Sequence, residues 1–226
     1  MPKIKIAIVG FGVVGRGTAR NLIERKKEIS ARGGVEIEIA KICDLQIPAE
    51  IPFDLNREIF TKNVDEILQN DEIQIVVETV GGVDFAKNLI EKSLRAKKNV
   101  VSANKHLIAK FGDELFKIAR ENGVQFLCEA AVAGAIPCLN FLRRNFPTAN
   151  FTRVSGILNG TANFILSHLQ IKGGDFAEVL KTAQKLGYAE ADPAFDIDGI
   201  DAAHKIAILA NFAFGIKIDF SKVRIS

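Results

Sequence analysis

The residue types best suited to chemistry crowd into Gly187–Lys205, which reads GYAEADPAFDIDGIDAAHK. Five carboxylates lie in it, Glu190, Asp192, Asp196, Asp198 and Asp201, and one ammonium, Lys205, closes it. An apolar run, Ile206–Phe214, follows directly and reads as a buried helix. Asp198 is expected to cap that helix, with Asp201 in its first turn. Asp201 and Lys205 then stand i, i+4 on one face. Charges at the mouth of an apolar helix are costly unless they are paired or bind something. Two readings stay open on these residues alone: an N-cap with a surface ion pair, or a polar pocket for a small charged substrate.

A second group of residues opens the chain. Lys3–Val9 alternates as a strand, Gly10-Phe11-Gly12-Val13-Val14-Gly15 follows, and a helical pattern runs to about Ile29. Strand, glycine loop and helix are the context in which G-x-G-x-x-G signals a dinucleotide. Gly10 allows the tight turn, Gly12 lets a pyrophosphate approach the backbone, and Gly15 lets helix and strand pack closely. The phosphates then meet free N–H groups at the positive end of the helix. Asp44 ends a second strand, Val35–Cys43, where an acid bonds the adenosine ribose and disfavours a 2′-phosphate. The plainer role for Asp44 is to start a turn.

These groups need elements to position them. Ile73–Glu78 reads as a strand with Thr79-Val80-Gly81-Gly82 at its carboxyl end, where open parallel sheets bind ligands. Asn63–Gln69 and Asp84–Arg95 read as helices and Asn99–Ser102 as a strand, with Lys105 just past it. Phe111–Asn122 reads as a helix and Gln125–Glu129 as a strand. The small residues of Ala130–Pro137 leave bare carbonyls suited to a cation, and Pro137 opens another helix. Strand and helix alternate in this way in a doubly wound parallel sheet. The pattern changes after Phe146-Pro147, the expected boundary between domains 1–146 and 147–226. Phe151–Leu158 and Lys217–Ile225 read as strands, and Ala162–Ile171 and Asp175–Leu186 as helices, the second stopped by Gly187.

With 226 residues, 48% hydrophobic and 25% charged, the chain can fill one large core or two modest ones. A net charge of +3 argues against nucleic acid, and no window is apolar enough for a membrane span. Cys43, Cys128 and Cys138 are odd in number and lack metal-ligand spacing, which points to reduced thiols in the cytoplasm, and the start Met1-Pro2-Lys3 is unlike a signal peptide. Histidines 106, 168 and 204 share no metal or triad spacing, and His204 is expected on a helix surface. The phenylalanines, 16 in number, fit core packing better than base stacking.

Taken together, the early GFGVVG, SANKHLIA, EAAVAGAIP, GILNGTANFIL and GYAEADPAFDIDGIDAAHKIAILA resemble homoserine dehydrogenase along the whole length. The resemblance implies a Rossmann-type NAD(P)-binding domain followed by an α+β substrate and dimerisation domain, C-terminally incomplete relative to the family. It implies interconversion of L-homoserine and L-aspartate 4-semialdehyde with NAD or NADP, on the route to threonine, methionine and isoleucine, by a homodimer. Lys205 matches the lysine that moves the proton on the substrate oxygen, and Lys105 the lysine between nicotinamide and substrate. Glu190 and Asp201 match substrate-binding carboxylates. Gly187 and Thr79 match cofactor contacts, alongside the loop from Gly10 to Gly15. Glu129 with the backbone of Val132, Gly134 and Ile136 matches a monovalent cation site, usually sodium. Two amino groups brought together favour proton release, and a pocket holding both signs suits an amino acid. Cys43 stands where many relatives carry an arginine suited to a 2′-phosphate, so NAD and NADP both stay open. The alternatives are a dinucleotide-binding chain without turnover and another amino-acid dehydrogenase on the same scaffold.

Overall fold

The computed structural model describes residues 1–146, 148–189 and 193–225, divided into two units, Met1–Cys128 and Glu129–Ser226. The first unit is built on a six-stranded parallel sheet. Its elements are β1 (Lys3–Val9), α1 (Val13–Glu24), α2 (Lys26–Gly33), β2 (Glu36–Cys43), β3 (Phe60–Thr61), α3 (Asp65–Leu68), β4 (Ile73–Glu78), α4 (Asp84–Arg95), β5 (Asn99–Ser102), α5 (Lys105–Glu121) and β6 (Phe126–Leu127). The strand order is β3-β2-β1-β4-β5-β6. That is a doubly wound sheet whose direction of growth reverses between β1 and β4, the place where such sheets bind ligands. The second half of β1 is core: Ile6, Ala7, Ile8 and Val9 are all buried, as a strand covered on both faces requires. In α4 the buried residues Ala86, Leu89, Ile90, Ser93 and Leu94 form one helical stripe.

Several boundaries differ from the sequence reading. The helix after the glycine loop breaks at Arg25, and its second half ends at Gly34 in the left-handed region (φ 68°). The helix expected over Phe111–Asn122 starts six residues earlier, because Asn104 caps it: its Oδ1 accepts from the Leu107 N–H at 3.1 Å. Lys105 is therefore the first residue of α5 and not part of a loop. The strand β3 is too short for periodicity to reveal.

In the second unit, a short 3-10 turn over Glu129–Ala131 precedes α6 (Cys138–Asn145), α7 (Gly160–Lys172), α8 (Phe176–Lys185), α9 (Ala194–Ile197) and α10 (Ile200–Phe214). Ile165, Val179, Ala183 and Ala189 form a buried cluster between α7 and α8. The helix α10 packs on α6 and α9. The stretches Phe151–Leu158 and Lys217–Ile225 are not strands. Their alternation is a strand signal only where a neighbouring ladder accepts their backbone, and no described residue of this unit offers one.

The Asp198 cap is also corrected. Asp198 ends α9, and the residue before α10 is Gly199, held at φ 72° with no side-chain cap. His204 is not on a surface: it is buried, with its ring stacked on Phe220 at 4.4 Å. It sits on the same side of α10 as Ala203, Ala207 and Ile208, the stripe the helix buries.

Candidate active site

In the first unit the glycine loop is held from behind. Gly10 has φ 95°, and a Cβ there would lie 2.6 Å from the Thr79 carbonyl carbon. A Cβ on Gly15 would lie 2.0 Å from the Gly10 carbonyl oxygen, so only glycine lets α1 come this close to β1. A Cβ on Gly12 would meet nothing within 4 Å. The loop is thus packed on one side and open at the glycine where a pyrophosphate would approach. The first amides of α1 have no intrahelical acceptors, which suits that anion. Val13 and Val14, in the same turn, are exposed. The fit to a dinucleotide is therefore good.

Phe11 contributes differently from its neighbours. Its ring is buried and packs edge-on against Phe60 at 5.2 Å. Its N–H donates to Asp44 Oδ2 at 2.5 Å, while Asp44 Oδ1 accepts from the Gln46 N–H at 2.7 Å. Asp44 thus starts a turn and also ties the end of β2 to the loop. The Thr79 hydroxyl lies 2.7 Å from the Gly10 carbonyl and 3.2 Å from that of Val9, so Thr79 braces the loop across β1 and β4.

A pocket of about 250 Å³ opens beside this loop, lined by Val14, Glu78, Thr79, Gly81, Ala103, Asn104, Lys105 and His106. It joins three residues predicted from sequence, Val14, Thr79 and Lys105, with three that sequence reasoning missed. Glu78 is fully buried; it accepts from the Val80 and Gly81 amides at 3.0 and 3.3 Å and from Ser102 Oγ at 2.5 Å. Asn104 caps α5 and donates to the Gly82 carbonyl at 2.6 Å, which ties the two rims together. Burial, and then the Lys110 ammonium, hold the His106 imidazole below its ordinary pKa. The Glu78 signal was present in the sequence as an acid closing a mostly apolar strand.

The second unit holds Lys205. Its Nζ donates to Asp201 Oδ2 at 2.7 Å and to the Leu158 carbonyl at 2.9 Å. The Asp201 side chain is 3% exposed and that of Lys205 18%. The carboxylate is buried and the lysine partly so, and the surface-pair reading falls. Asp201 Oδ2 also accepts from Asn159 Nδ2 at 2.8 Å, and the same nitrogen donates to Asp196 Oδ1 at 2.7 Å. Thr161 Oγ1 lies 2.9 Å from Asp196 Oδ2 and 2.6 Å from the Tyr188 carbonyl. Asn159, Thr161, Asp196, Asp201 and Lys205 therefore form one polar cluster on α7, α9 and α10. Gly187 ends α8 at φ 78° and is exposed. Glu190, predicted to bind substrate, lies outside the described residues, as does Asp192.

Glu129, predicted to bind a cation, caps α6: its two carboxylate oxygens accept from the Leu139 and Asn140 amides, each at 2.9 Å. Ala133 and Gly134 follow in the left-handed region (φ 58° and 56°), and the Ile136 carbonyl accepts from the Cys138 N–H at 2.8 Å. Both Glu129 oxygens and the Ile136 carbonyl, expected as cation ligands, are thus engaged by backbone N–H groups of the α6 N-terminus. Among the described residues, no three His, Cys, Asp or Glu side chains cluster as metal ligands. None of the helices described is long and apolar enough to cross a membrane.

A glycine loop at the switch point of a doubly wound parallel sheet defines the dinucleotide-binding class of α/β proteins. Family models described as "Homoserine dehydrogenase, NAD binding domain" and "Homoserine dehydrogenase" match residues 10–129 and 137–226. The chain belongs to the homoserine dehydrogenase family. It is 46% identical to the homoserine dehydrogenase of Pseudomonas aeruginosa, covering 98% of this chain and 51% of that protein. It is 37% identical to that of Bacillus subtilis, covering 100% and 52%. The crystal structure of the Thiobacillus denitrificans homoserine dehydrogenase superposes with a TM-score of 0.85 at 42% identity, over 98% of this chain and 51% of that one. A hyperthermophilic archaeal homoserine dehydrogenase in complex with NADPH gives 0.81 at 28% identity, over 98% and 75%. The chain spans about half the length of the curated relatives it matches.

Proposed function

We propose that this protein interconverts L-homoserine and L-aspartate 4-semialdehyde with NAD or NADP, a step toward threonine, methionine and isoleucine. The observation that carries the reading is the Lys205 ammonium, partly buried and aimed by two fixed acceptors. A lysine ammonium has three hydrogens. Two go to Asp201 and the Leu158 carbonyl. We assign the third to the substrate's oxygen. In reduction Lys205 gives a proton to the aldehyde oxygen, and in oxidation its neutral amine takes the hydroxyl proton. A bound nicotinamide gives or accepts the hydride.

Lys105, in the pocket beside the glycine loop, is assigned to the same substrate, next to the ring. Glu190 is assigned to the substrate ammonium, Asp201 to holding Lys205 and the substrate, and Gly187 with Thr79 to the cofactor. Residues 1–146 then serve the cofactor and 147–226 the substrate. Glu129 with the carbonyls of Val132, Gly134 and Ile136 is assigned to a monovalent cation, which steadies that turn. The assembly we propose is a homodimer in the cytoplasm, a compartment that keeps cysteine thiols reduced.

The test is homoserine-dependent reduction of NAD⁺ and NADP⁺ by this chain, followed at the absorbance of the reduced nicotinamide. Lys205→Ala should lower kcat by about 10²–10⁴-fold, the range for an acid–base group. Cofactor binding without turnover by the parent chain would replace this reading with that of a dinucleotide-binding protein. Faster turnover of another amino acid would move it to a different dehydrogenase.

A further inference from the structure

We propose that Asn159 is the positioning residue for Lys205, acting through Asp201; this inference rests on the reading of Lys205 given above. Asn159 is buried, and every part of its amide is committed. Oδ1 accepts from the Ala162 N–H at 2.7 Å and so caps α7. Nδ2 has two hydrogens, and they go to Asp196 Oδ1 at 2.7 Å and Asp201 Oδ2 at 2.8 Å. The amide cannot be reversed, because its NH₂ would then face an N–H and its oxygen would face two carboxylates.

Asp201 is 2% exposed, and a buried carboxylate keeps its place only while its oxygens are satisfied. The oxygen that holds Lys205 is the same one that Asn159 holds. The neighbouring Leu158 carbonyl takes the lysine's other hydrogen bond at 2.9 Å. Two consecutive residues thus aim the ammonium, one directly and one through the carboxylate. The same amide stands between Asp196 and Asp201 and offsets the repulsion of two acids brought to one nitrogen. A residue needed only to start α7 would use Oδ1 alone. Serine and aspartate cap helices about as well as asparagine, yet neither can replace the two donors.

The experiment compares Asn159→Ser and Asn159→Asp with the parent chain by crystal structure, steady-state kinetics with homoserine, and NADH titration. The proposal expects α7 to persist in the serine variant while Lys205 Nζ and Asp201 Oδ2 move beyond 3.5 Å. It expects kcat to fall tenfold or more in both variants, with NADH affinity unchanged. The aspartate variant, with a third carboxylate against two, should lose more than the serine one. A serine variant that keeps the Lys205–Asp201 contact, or parental kcat, overturns the proposal and leaves Asn159 as a cap. If the parent chain shows no turnover, the functional reading fails, and the serine structure still decides whether Asn159 holds Asp201 and Lys205.

Discussion

Gly12 and Gly15 stand three residues apart in one loop, and the structure assigns them opposite sensitivities. A methyl group on Gly15 would lie 2.0 Å from the Gly10 carbonyl oxygen and 2.9 Å from Thr79 Oγ1. The first contact is with backbone, which cannot swing aside, so α1 must shift from β1. Overpacking of this kind costs about 1–3 kcal/mol, and more when backbone moves. Alanine returns up to about 1 kcal/mol of helix propensity. The net loss for Gly15→Ala is about 2 kcal/mol, or a fall of about 4–8 °C in Tm for a chain of this length. Gly12 has φ −74° and ψ −159°, which alanine adopts, and open space around its Cβ position. Gly12→Ala should hold stability within about 0.5 kcal/mol, a Tm change of about 2 °C or less. Its methyl group fills the approach of the pyrophosphate, so NADH affinity should fall at least tenfold, a loss of about 1.4 kcal/mol or more. Thermal melts and NADH fluorescence titrations of both variants decide it. Parental NADH affinity in Gly12→Ala, or a parental melt in Gly15→Ala, refutes the reasoning.

Two more expectations concern ionisable groups in the first unit. Lys98 is buried, and its Nζ donates to the Asn70 and Ile73 carbonyls at 2.6 and 2.9 Å. Lys98→Met keeps the stem and strips both acceptors of a charged donor, so it should destabilise the unit by about 1–3 kcal/mol in denaturant melts; an unchanged midpoint would show the ammonium to be dispensable. The His106 imidazole, held down first by burial and then by Lys110, should titrate below 6.5 by NMR. The unfolded chain then takes up that proton first, so this group's contribution to stability is present above pH 6.5 and is lost as pH falls through the folded value. A midpoint at or above 6.5 would contradict it.

The parts of this molecule that were legible in the sequence are those set by near neighbours. The strands Lys3–Val9, Ile73–Glu78 and Asn99–Ser102 and the helix Asp84–Arg95 lie where their periodicity puts them. The glycine loop was legible because strand, turn and helix are contiguous. The start of α5 was legible too, in Asn104 followed by Leu107 and Ile108, but the apolar pattern from Phe111 onward masked it. The two stretches that alternate like strands, Phe151–Leu158 and Lys217–Ile225, show the limit of that signal. A strand exists only with a partner, and pattern carries no information about the partner. The contacts of Asn159 with Asp196 and Asp201 span 37 and 42 residues. No spacing rule reaches that far, so the acids of the Gly187–Lys205 stretch were visible while the amide that arranges them was not. Asp201 and Lys205 were paired by the helical repeat, but their burial comes from tertiary packing.

The most direct measurement is a crystal structure of the chain with NAD⁺ and homoserine bound. The account predicts Lys205 Nζ within about 3.2 Å of the homoserine hydroxyl oxygen, with Lys105 Nζ on the same substrate beside the nicotinamide ring. Homoserine bound with either ammonium remote from that hydroxyl, in a chain that still turns over, would contradict it.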